Sequence, residues 1–573
     1  MRLLRQPHLL RSAVMFLRLF SLVIYLTVAA RAAGQVYRYE AESGQRLGTV
    51  VQSSAVSGYS GSGYVTNFTN SASAVRVTTD VPNGLYELWV GYRSQYGEKG
   101  YNYNVDGVAG SGMFTGSTTF STDRAGLFNL TAATNTMEIS QGWGYYDVDY
   151  FEFRPYVPPT LQPIAPVLVD EVAGSRTQVL MNYLTQTYGS KTLSGQQHNA
   201  SQNQSFPGSS YLARSGGLTP AIRGSDFIEY SPTRVINGSN TNNETEQSIA
   251  WAKSTGGVVS MMWHWNAPDD LINTTGHERW RGFYSDATTF NLPAALANPT
   301  GDKYQKIIRD IDAIAVELKK FQDAGVPVIW RPLHEAQGTW FWWGAHGPDA
   351  FKQLWNLTYD RLTNHHGLHN LIWEFTSSAA DGNFLNWYPG DDVVDMIGLD
   401  IYTTPTDPMS AQWLDVLQQY NGRKMIALSE TGTLPDPTVM AQWGIDWSYF
   451  SPWTGSFIDN VPAAQLAATL SSPDVITLNE LQTLPWKTNG SFQSADLDFN
   501  GAVDGADLAK LIAAFQHTAA GDVDGDGDTD GADVLAWQRS FTASQTLAAH
   551  HAAPEPAALT LLLTAICLRS RRK

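Results

Sequence analysis

The sequence predicts a multidomain fold, with a (β/α)8 TIM barrel at its centre, a β-sandwich before it and a small C-terminal helical calcium-loop module after it. Three observations carry this reading. Between 167 and 487, short apolar, β-branched runs alternate with longer amphipathic ones, the pattern of a parallel sheet wrapped by helices. Ahead of that region, 36–156 holds only short alternating segments separated by Gly, Ser and Asn, the signature of a sandwich. Behind it, two acidic segments recur with a 26-residue offset. A chain of 573 residues has room for all three, because a domain usually takes about 100–200.

Composition narrows the function. The 19 Trp and 25 Tyr, with only 16% charged residues, suit a protein that handles neutral polysaccharide. A net charge of −17 excludes nucleic acid as a partner, since phosphate neutralisation needs a basic face. The single cysteine, Cys567, lies in the tail, so no disulfide forms within the chain.

In chain order, 1–33 carries Arg5, Arg11 and Arg18, an apolar run over 19–28 and small residues around Ala32 and Ala33. The run is shorter than a bilayer requires, so the segment reads as a cleaved secretory signal rather than an anchor. In 36–156, the runs at 74–77, 85–90, 101–105 and 146–153 are the candidate strands. Glu40 and Glu42 are two residues apart; on a strand they point the same way, either to share a hard cation or to stand as two solvated carboxylates. The opening Tyr39-Glu40-Ala41-Glu42, the run Ser60 to Val65 and the closing run Trp143 to Phe153 resemble a family 35 carbohydrate-binding module. That resemblance implies Glu40, Glu42 and Asp149 as ligands of a structural calcium, and closing-segment aromatics facing a sugar. Five prolines within 155–166 mark a stiff spacer, placed at 157–166.

The barrel strands are expected at 192–198, 220–225, 258–264, 326–335, 370–375, 393–402, 424–430 and 447–453, with helices at 304–324, 349–365 and 409–420 between several of them. Barrel enzymes act at strand C-terminal ends. His198, His264, Glu335, Tyr402, Glu430 and Trp453 all fall there. Glu335 sits in Trp330-Arg331-Pro332-Leu333-His334-Glu335, just before Trp340-Phe341-Trp342-Trp343. A carboxyl against an apolar aromatic wall holds its proton and can give it to a glycosidic oxygen, while the rings stack on sugar faces. Glu430, ending the seventh strand, faces the fourth across the mouth and supplies the second carboxylate that glycoside hydrolysis requires.

The motifs Arg331-Pro332-Leu333-His334-Glu335, Gly338 to Gly344, Ser429-Glu430-Thr431-Gly432 and Trp447 to Gly455 resemble glycoside hydrolase family 26. The resemblance implies an endo-β-1,4-mannanase that retains configuration and needs no cofactor for catalysis. It makes Glu335 the acid/base and Glu430 the nucleophile, and sets His334 near the nucleophile. His264, Trp343 and Tyr402 become sugar contacts, and Trp453 a platform beneath the cleaved sugar. A β-1,3-xylanase, a mixed-linkage β-glucanase and a non-catalytic carbohydrate-binding envelope protein stay open at this point.

Over 495–541, Asp496, Asp498, Asn500, Asp504 and Asp507, then Asp522, Asp524, Asp526, Asp530 and Asp533, follow EF-hand calcium spacing, with glycine at loop position 6. The pair resembles a dockerin duplicate, which implies a cohesin-like partner. The tail, 553–573, has Pro554-Glu555-Pro556, an apolar run and a basic end, and resembles the bacterial PEP-CTERM sorting signal. It implies transient membrane association and a cell-surface or extracellular destination.

Overall fold

The computed structural model describes residues 34–199, 205–378, 384–487, 495, 497, 503–515, 521, 523 and 529–544. The expected signal and sorting segments lie outside the described residues, as do Asp496, Asp498, Asn500, Asp522, Asp524 and Asp526. The chain forms two compact units, divided after Pro159.

The first unit consists of two antiparallel sheets. One carries the strands Tyr37–Glu40, Val51–Ser53, Tyr64–Thr66, Gly84–Ser94, Ser117–Leu130 and Asp147–Pro155; the other carries Gln45–Leu47, Ala74–Thr79, Lys99–Val105, Val108–Phe114 and Asn135–Trp143. The period-2 pattern dictates this packing. In Ala74–Thr79, Val75 and Val77 are buried while Arg76 and Thr78 are exposed, and the inward set meets Leu88, Val90, Met137, Ile139, Phe151 and Phe153 in one core. Each such fully buried side chain contributes roughly 1.5–3 kcal/mol. The pairing Tyr39↔Phe151 and Glu40↔Tyr150 brings the acidic opening segment to the closing one. The first strand stops at Glu40, and Glu42 sits in the single helical turn Ala41–Ser43 rather than on the strand.

In the second unit eight parallel strands close into a ring: Thr192–Gln197, Ile222–Asp226, Val258–Met262, Val328–Arg331, Leu371–Ser378, Met396–Ile401, Met425–Thr431 and Tyr449–Pro452. Gly195↔Ile222 and Leu193↔Tyr449 make the closure, and the two-residue strand Val475–Ile476 lies beside the first strand. Helices Asp302–Asp323, Pro348–Tyr359 and Ser410–Tyr420 occupy the expected stretches. Asp302–Asp323 turns Ile307, Ile311, Ile314, Leu318 and Phe321 inward, spaced as one helical face requires. Within the expected spacer, Asn421 donates to the Thr160 carbonyl at 3.0 Å and accepts from the Gln162 amide at 2.8 Å, so 160–166 begins the second unit rather than spanning free.

The fourth strand is shorter than expected. It ends at Arg331, because Leu333 (φ 52°) and Glu335 (φ 54°) are left-handed and cannot continue a strand. Thr339 (φ 57°) is left-handed too, and such residues cost about 1–2 kcal/mol each. The turn is held by bonds from the Glu335 amide to the Thr376 carbonyl, 3.1 Å, and from the Gln337 amide nitrogen to Ser377 Oγ, 2.6 Å. Gly344 is required here, since a Cβ would lie 2.1 Å from the Ala336 carbonyl oxygen.

Two further helices, Gly505–Ala514 and Gly531–Ser544, follow the acidic segments and share a small core with Leu497, Val503, Leu511, Val523 and Trp537. Their caps repeat. Asp507 accepts from the amides of Leu497 and Asp504, and Asp533 from those of Val523 and Asp530, at 2.6 to 2.7 Å.

Candidate active site

The strand ends of the barrel surround a cavity of about 550 Å³ lined by His264, Glu335, Asp400, Tyr402, Glu430 and Trp453, with Tyr284, Trp340 and Phe341 on one wall. Glu335 and Glu430 therefore meet in one space, as their strand-end positions require. Each of His264, Tyr402 and Trp453 also reaches it.

The two carboxyls have unlike partners. Glu430 accepts from the Tyr402 hydroxyl, and Arg331 Nη2 lies 3.4 Å from its other oxygen. Glu335 accepts only the Trp340 indole N–H, at 3.0 Å, among the hydrogen bonds its carboxylate makes with described residues. Burial pushes both up to about 8, and the charge of Asp400 adds to each. Arg331 opposes the rise at both, most directly at Glu430, where guanidinium and phenol stabilise the anion. Of the two, Glu430 is therefore the better supported as an anion and Glu335 the better placed to hold a proton.

Arg331 is fully buried. It binds Asp400 at 2.7 Å and Thr376 Oγ1 at 3.1 Å, and stands 3.8 Å from Glu374. Glu374, pushed up to about 7 by burial, accepts the Tyr449 hydroxyl at 2.6 Å, and Ser429 donates to Asp400 at 3.0 Å. Sequence reasoning brought Arg331 to the rim but missed Asp400 and Glu374. Glu374 is a lone carboxylate inside an otherwise apolar predicted strand, and Asp400 stands near the apolar end of another that also holds Asp395; carboxylates so placed are the signal that could have found them.

Three expected roles change. Trp343 is 0% exposed, with its indole N–H on the His334 carbonyl at 2.9 Å and its ring stacked on Phe341 at 4.6 Å; it is packing, not a sugar contact. Trp342 is likewise committed inward, donating to the Trp265 carbonyl at 2.6 Å. Of the four-ring run only Trp340, 37% exposed, and Phe341 border the cavity. His334 is buried against His264, Nε2 to Nε2 at 3.3 Å, and is not among the hydrogen-bond partners of Glu430. His198, also at a strand end, pairs with Glu244 in a buried cluster with Arg223.

In the first unit, Glu40, Glu42 and Asp149 gather round the loop Ser60 to Ser62. Asp149 accepts from the Ser60 amide at 3.0 Å, Ser60 Oγ donates to Glu40, and the Ser62 amide donates to Glu42 at 2.6 Å. Glu42 Oε2 is buried without a partner, and burial with the Glu40 and Glu42 charges pushes Asp149 up to about 7. At Gly61 (φ 62°) a Cβ would fall 2.4 Å from Glu42 Oε1. Among the described residues no three such side chains are already gathered as a metal-ligand set. A second cavity of this unit, about 490 Å³, is lined by Asn67, Arg93, Gln95, Tyr96, Tyr145 and Asp147 among others.

Residues 169–480 match the model of glycosyl hydrolase family 26, and residues 37–156 that of the family 35 carbohydrate binding module. The chain is 40% identical over 461 residues to a mannan endo-1,4-beta-mannosidase of Thermothelomyces thermophilus, spanning 79% of this chain and 92% of that one. The crystal structure of the Podospora anserina GH26-CBM35 beta-(1,4)-mannanase superposes with a TM-score of 0.56 at 39% identity, covering 79% of this chain and 100% of that one. A ruminal GH26 endo-beta-1,4-mannanase gives 0.63 at 27% identity, covering 79% and 99%.

Proposed function

The chain belongs to glycosyl hydrolase family 26, and from that premise we propose that it is an exported endo-β-1,4-mannanase acting by double displacement with retained configuration. One observation carries the mechanism: two buried carboxyls share a cavity, one supported as an anion by a guanidinium and a phenol and the other by an indole alone among the described residues. Glu430 attacks the anomeric carbon while Glu335 gives its proton to the glycosidic oxygen, and the C–O bond breaks. Glu335, now a carboxylate, then takes a proton from water as the water oxygen displaces Glu430 from that carbon. Trp453 offers an apolar face to the sugar rings, and His264 and Tyr402 offer polar edges. The mannan preference rests on the names of the three relatives given above, each a mannanase.

The family 35 module is the second sugar contact in this reading. Exposed Tyr145, from the closing segment, and Tyr96 flank its cavity, and Arg93 is neutralised by Asp147 at 2.6 Å, which suits an uncharged sugar. Glu40, Glu42 and Asp149 would hold a structural calcium there. The orphaned Glu42 oxygen and the mutual repulsion of the three support it, because a hard cation answers both. Asp504, Asp507, Asp530 and Asp533 would belong to two further calcium loops.

The test is Glu335→Ala and Glu430→Ala, assayed on galactomannan, β-1,3-xylan and mixed-linkage glucan, with proton NMR of the first product anomer. Each substitution should lower mannan hydrolysis by several orders of magnitude while the fold survives, and the parent should release the β-anomer first. Residual activity above a tenth, or faster turnover of xylan or glucan, overturns the reading.

A further inference from the structure

Asp226 ends the second barrel strand and is buried. Its two oxygens divide their work. Oδ1 accepts the backbone amides of Ile228, 2.8 Å, and His264, 3.0 Å; Oδ2 accepts His264 Nδ1, 2.7 Å. Backbone and ring of one histidine are thus clamped by one carboxylate. Since a carboxylate only accepts, Nδ1 of His264 carries a proton, and in the neutral ring that leaves Nε2 bare. That nitrogen faces His334 Nε2 at 3.3 Å. His334 is fully buried and its basicity is lowered, first by burial and also by the Arg331 charge, so opposite a bare His264 Nε2 it donates Nε2–H and leaves its own Nδ1 bare, buried and unpartnered. The other groups facing His264 are Asp400 from the sixth strand and the rings of Phe283, Phe341 and Trp453.

We propose that Asp226 is a positioning residue for the hydrolysis, fixing the His264 tautomer so that His264 Nε2 is a hydrogen-bond acceptor at the cavity wall for a pyranose hydroxyl. The inference rests on the glycoside hydrolase reading of the cavity. A long 3.3 Å contact to His334 is easily shared with or exchanged for a sugar O–H, which has no other neutral nitrogen acceptor among the cavity-lining side chains. His334 then acts as the donor that occupies the acceptor before substrate arrives. The arrangement also accounts for the burial of His334, which sits behind His264 and Phe341 at the cavity wall.

An isosteric Asp226→Asn tests the tautomer directly. Two backbone amides demand an oxygen at Oδ1, so the new amide turns its NH2 toward His264 Nδ1 and forces the proton to Nε2, where it opposes the His334 N–H. On the full-length enzyme, kcat/KM for manno-oligosaccharides should fall about 10- to 100-fold. In 15N spectra of the histidine rings, the protonated nitrogen of His264 should switch from Nδ1 in the parent to Nε2 in the variant. In a His264→Ala background, Asp226→Asn should cost no further activity. A purely structural aspartate would lower the melting temperature without switching the tautomer, and its cost would add to that of His264→Ala. Either result overturns the proposal, and so does a parent spectrum showing His264 protonated on Nε2, a measurement that needs neither a folded variant nor any activity.

Discussion

The alkaline limit of activity should be set by Glu335 and tuned by Trp340. The perturbation is Trp340→Phe, which keeps an aromatic ring but removes the indole N–H donated to Glu335 Oε2 at 3.0 Å. That bond favours the carboxylate and so opposes the rise caused by burial and by Asp400. A hydrogen bond to a charged group is worth roughly 1.5–3 kcal/mol, and because Trp340 is 37% exposed the low end applies, about 1 to 1.5 kcal/mol. At 1.36 kcal/mol per pKa unit, Glu335 moves up by about 0.7 to 1.1. The sign follows from the role: the protonated acid is the active form, so losing a stabiliser of its anion extends activity to higher pH. The alkaline limb of log kcat/KM, near pH 8 in the parent, should move to about 9. Lost ring contact would lower the height of the profile without moving it. A limb that stays in place, or moves toward acid, refutes the assignment of Glu335 as the proton donor.

At the nucleophile the same logic reverses: Tyr402→Phe removes a donor to the Glu430 anion, so the acidic limb should move up and kcat fall by about 10- to 100-fold, read from the same profiles. Arg331→Met leaves Asp400, Glu374 and Glu430 facing one another without a cation, which should cost about 3–5 kcal/mol in urea unfolding of the barrel; a loss below about 1 kcal/mol would show the guanidinium dispensable to the fold. Chelation should lower the melting of the family 35 module seen by calorimetry of the full chain, and more so as pH rises. Asp149, raised from about 4 to about 7, adds stability below the lower value that is lost through the upper, and saturating calcium should flatten that dependence.

Much of the fold was legible because its periods are strong. Each of the eight predicted strands overlaps one in the ring, and the run Val75, Val77 against Arg76 announced a half-buried sheet. The two glutamates were legible because a barrel brings every strand end to one rim. What stayed hidden was orientation. Nothing in Trp340 to Trp343 says which rings turn inward; that depends on the left-handed residues at 333, 335 and 339, chosen by tertiary bonds to Thr376 and Ser377 rather than by local propensity. The expected strand through Glu335 failed for the same reason. Glu42 left its strand because a helical turn intervenes, yet it still met Glu40 at Gly61, where the chain has no Cβ to keep them apart. Asp226 gave no signal at all, since a carboxylate that acts on a neighbour's tautomer carries no sequence pattern.

The buried charges beneath the site explain why a single proton can serve both steps. One guanidinium, Arg331, faces Asp400, Glu430 and Glu374, so full ionisation would leave two uncompensated negative charges in the barrel interior, with Glu335 adding a third beside them. Burial makes that state costly, and of the two carboxyls in the cavity the proton is better held on Glu335, whose one donor among the described residues is an indole. Glu430 and Asp400 share the guanidinium, which opposes the rise that burial gives both. On the proposed double displacement, attack by Glu430 consumes its charge as an ester forms, while Glu335 becomes an anion. The number of negative charges in the cavity is unchanged, so the network need not reorganise. With the neighbouring charge gone, the Glu335 carboxylate is easier to keep ionised than it was in the resting enzyme, and it can wait for water. When its oxygen takes the water proton and Glu430 is released as a carboxylate, the original distribution returns. On that proposal the acid of the first step and the base of the second are one residue because the electrostatic load moves between two glutamates around a fixed cation.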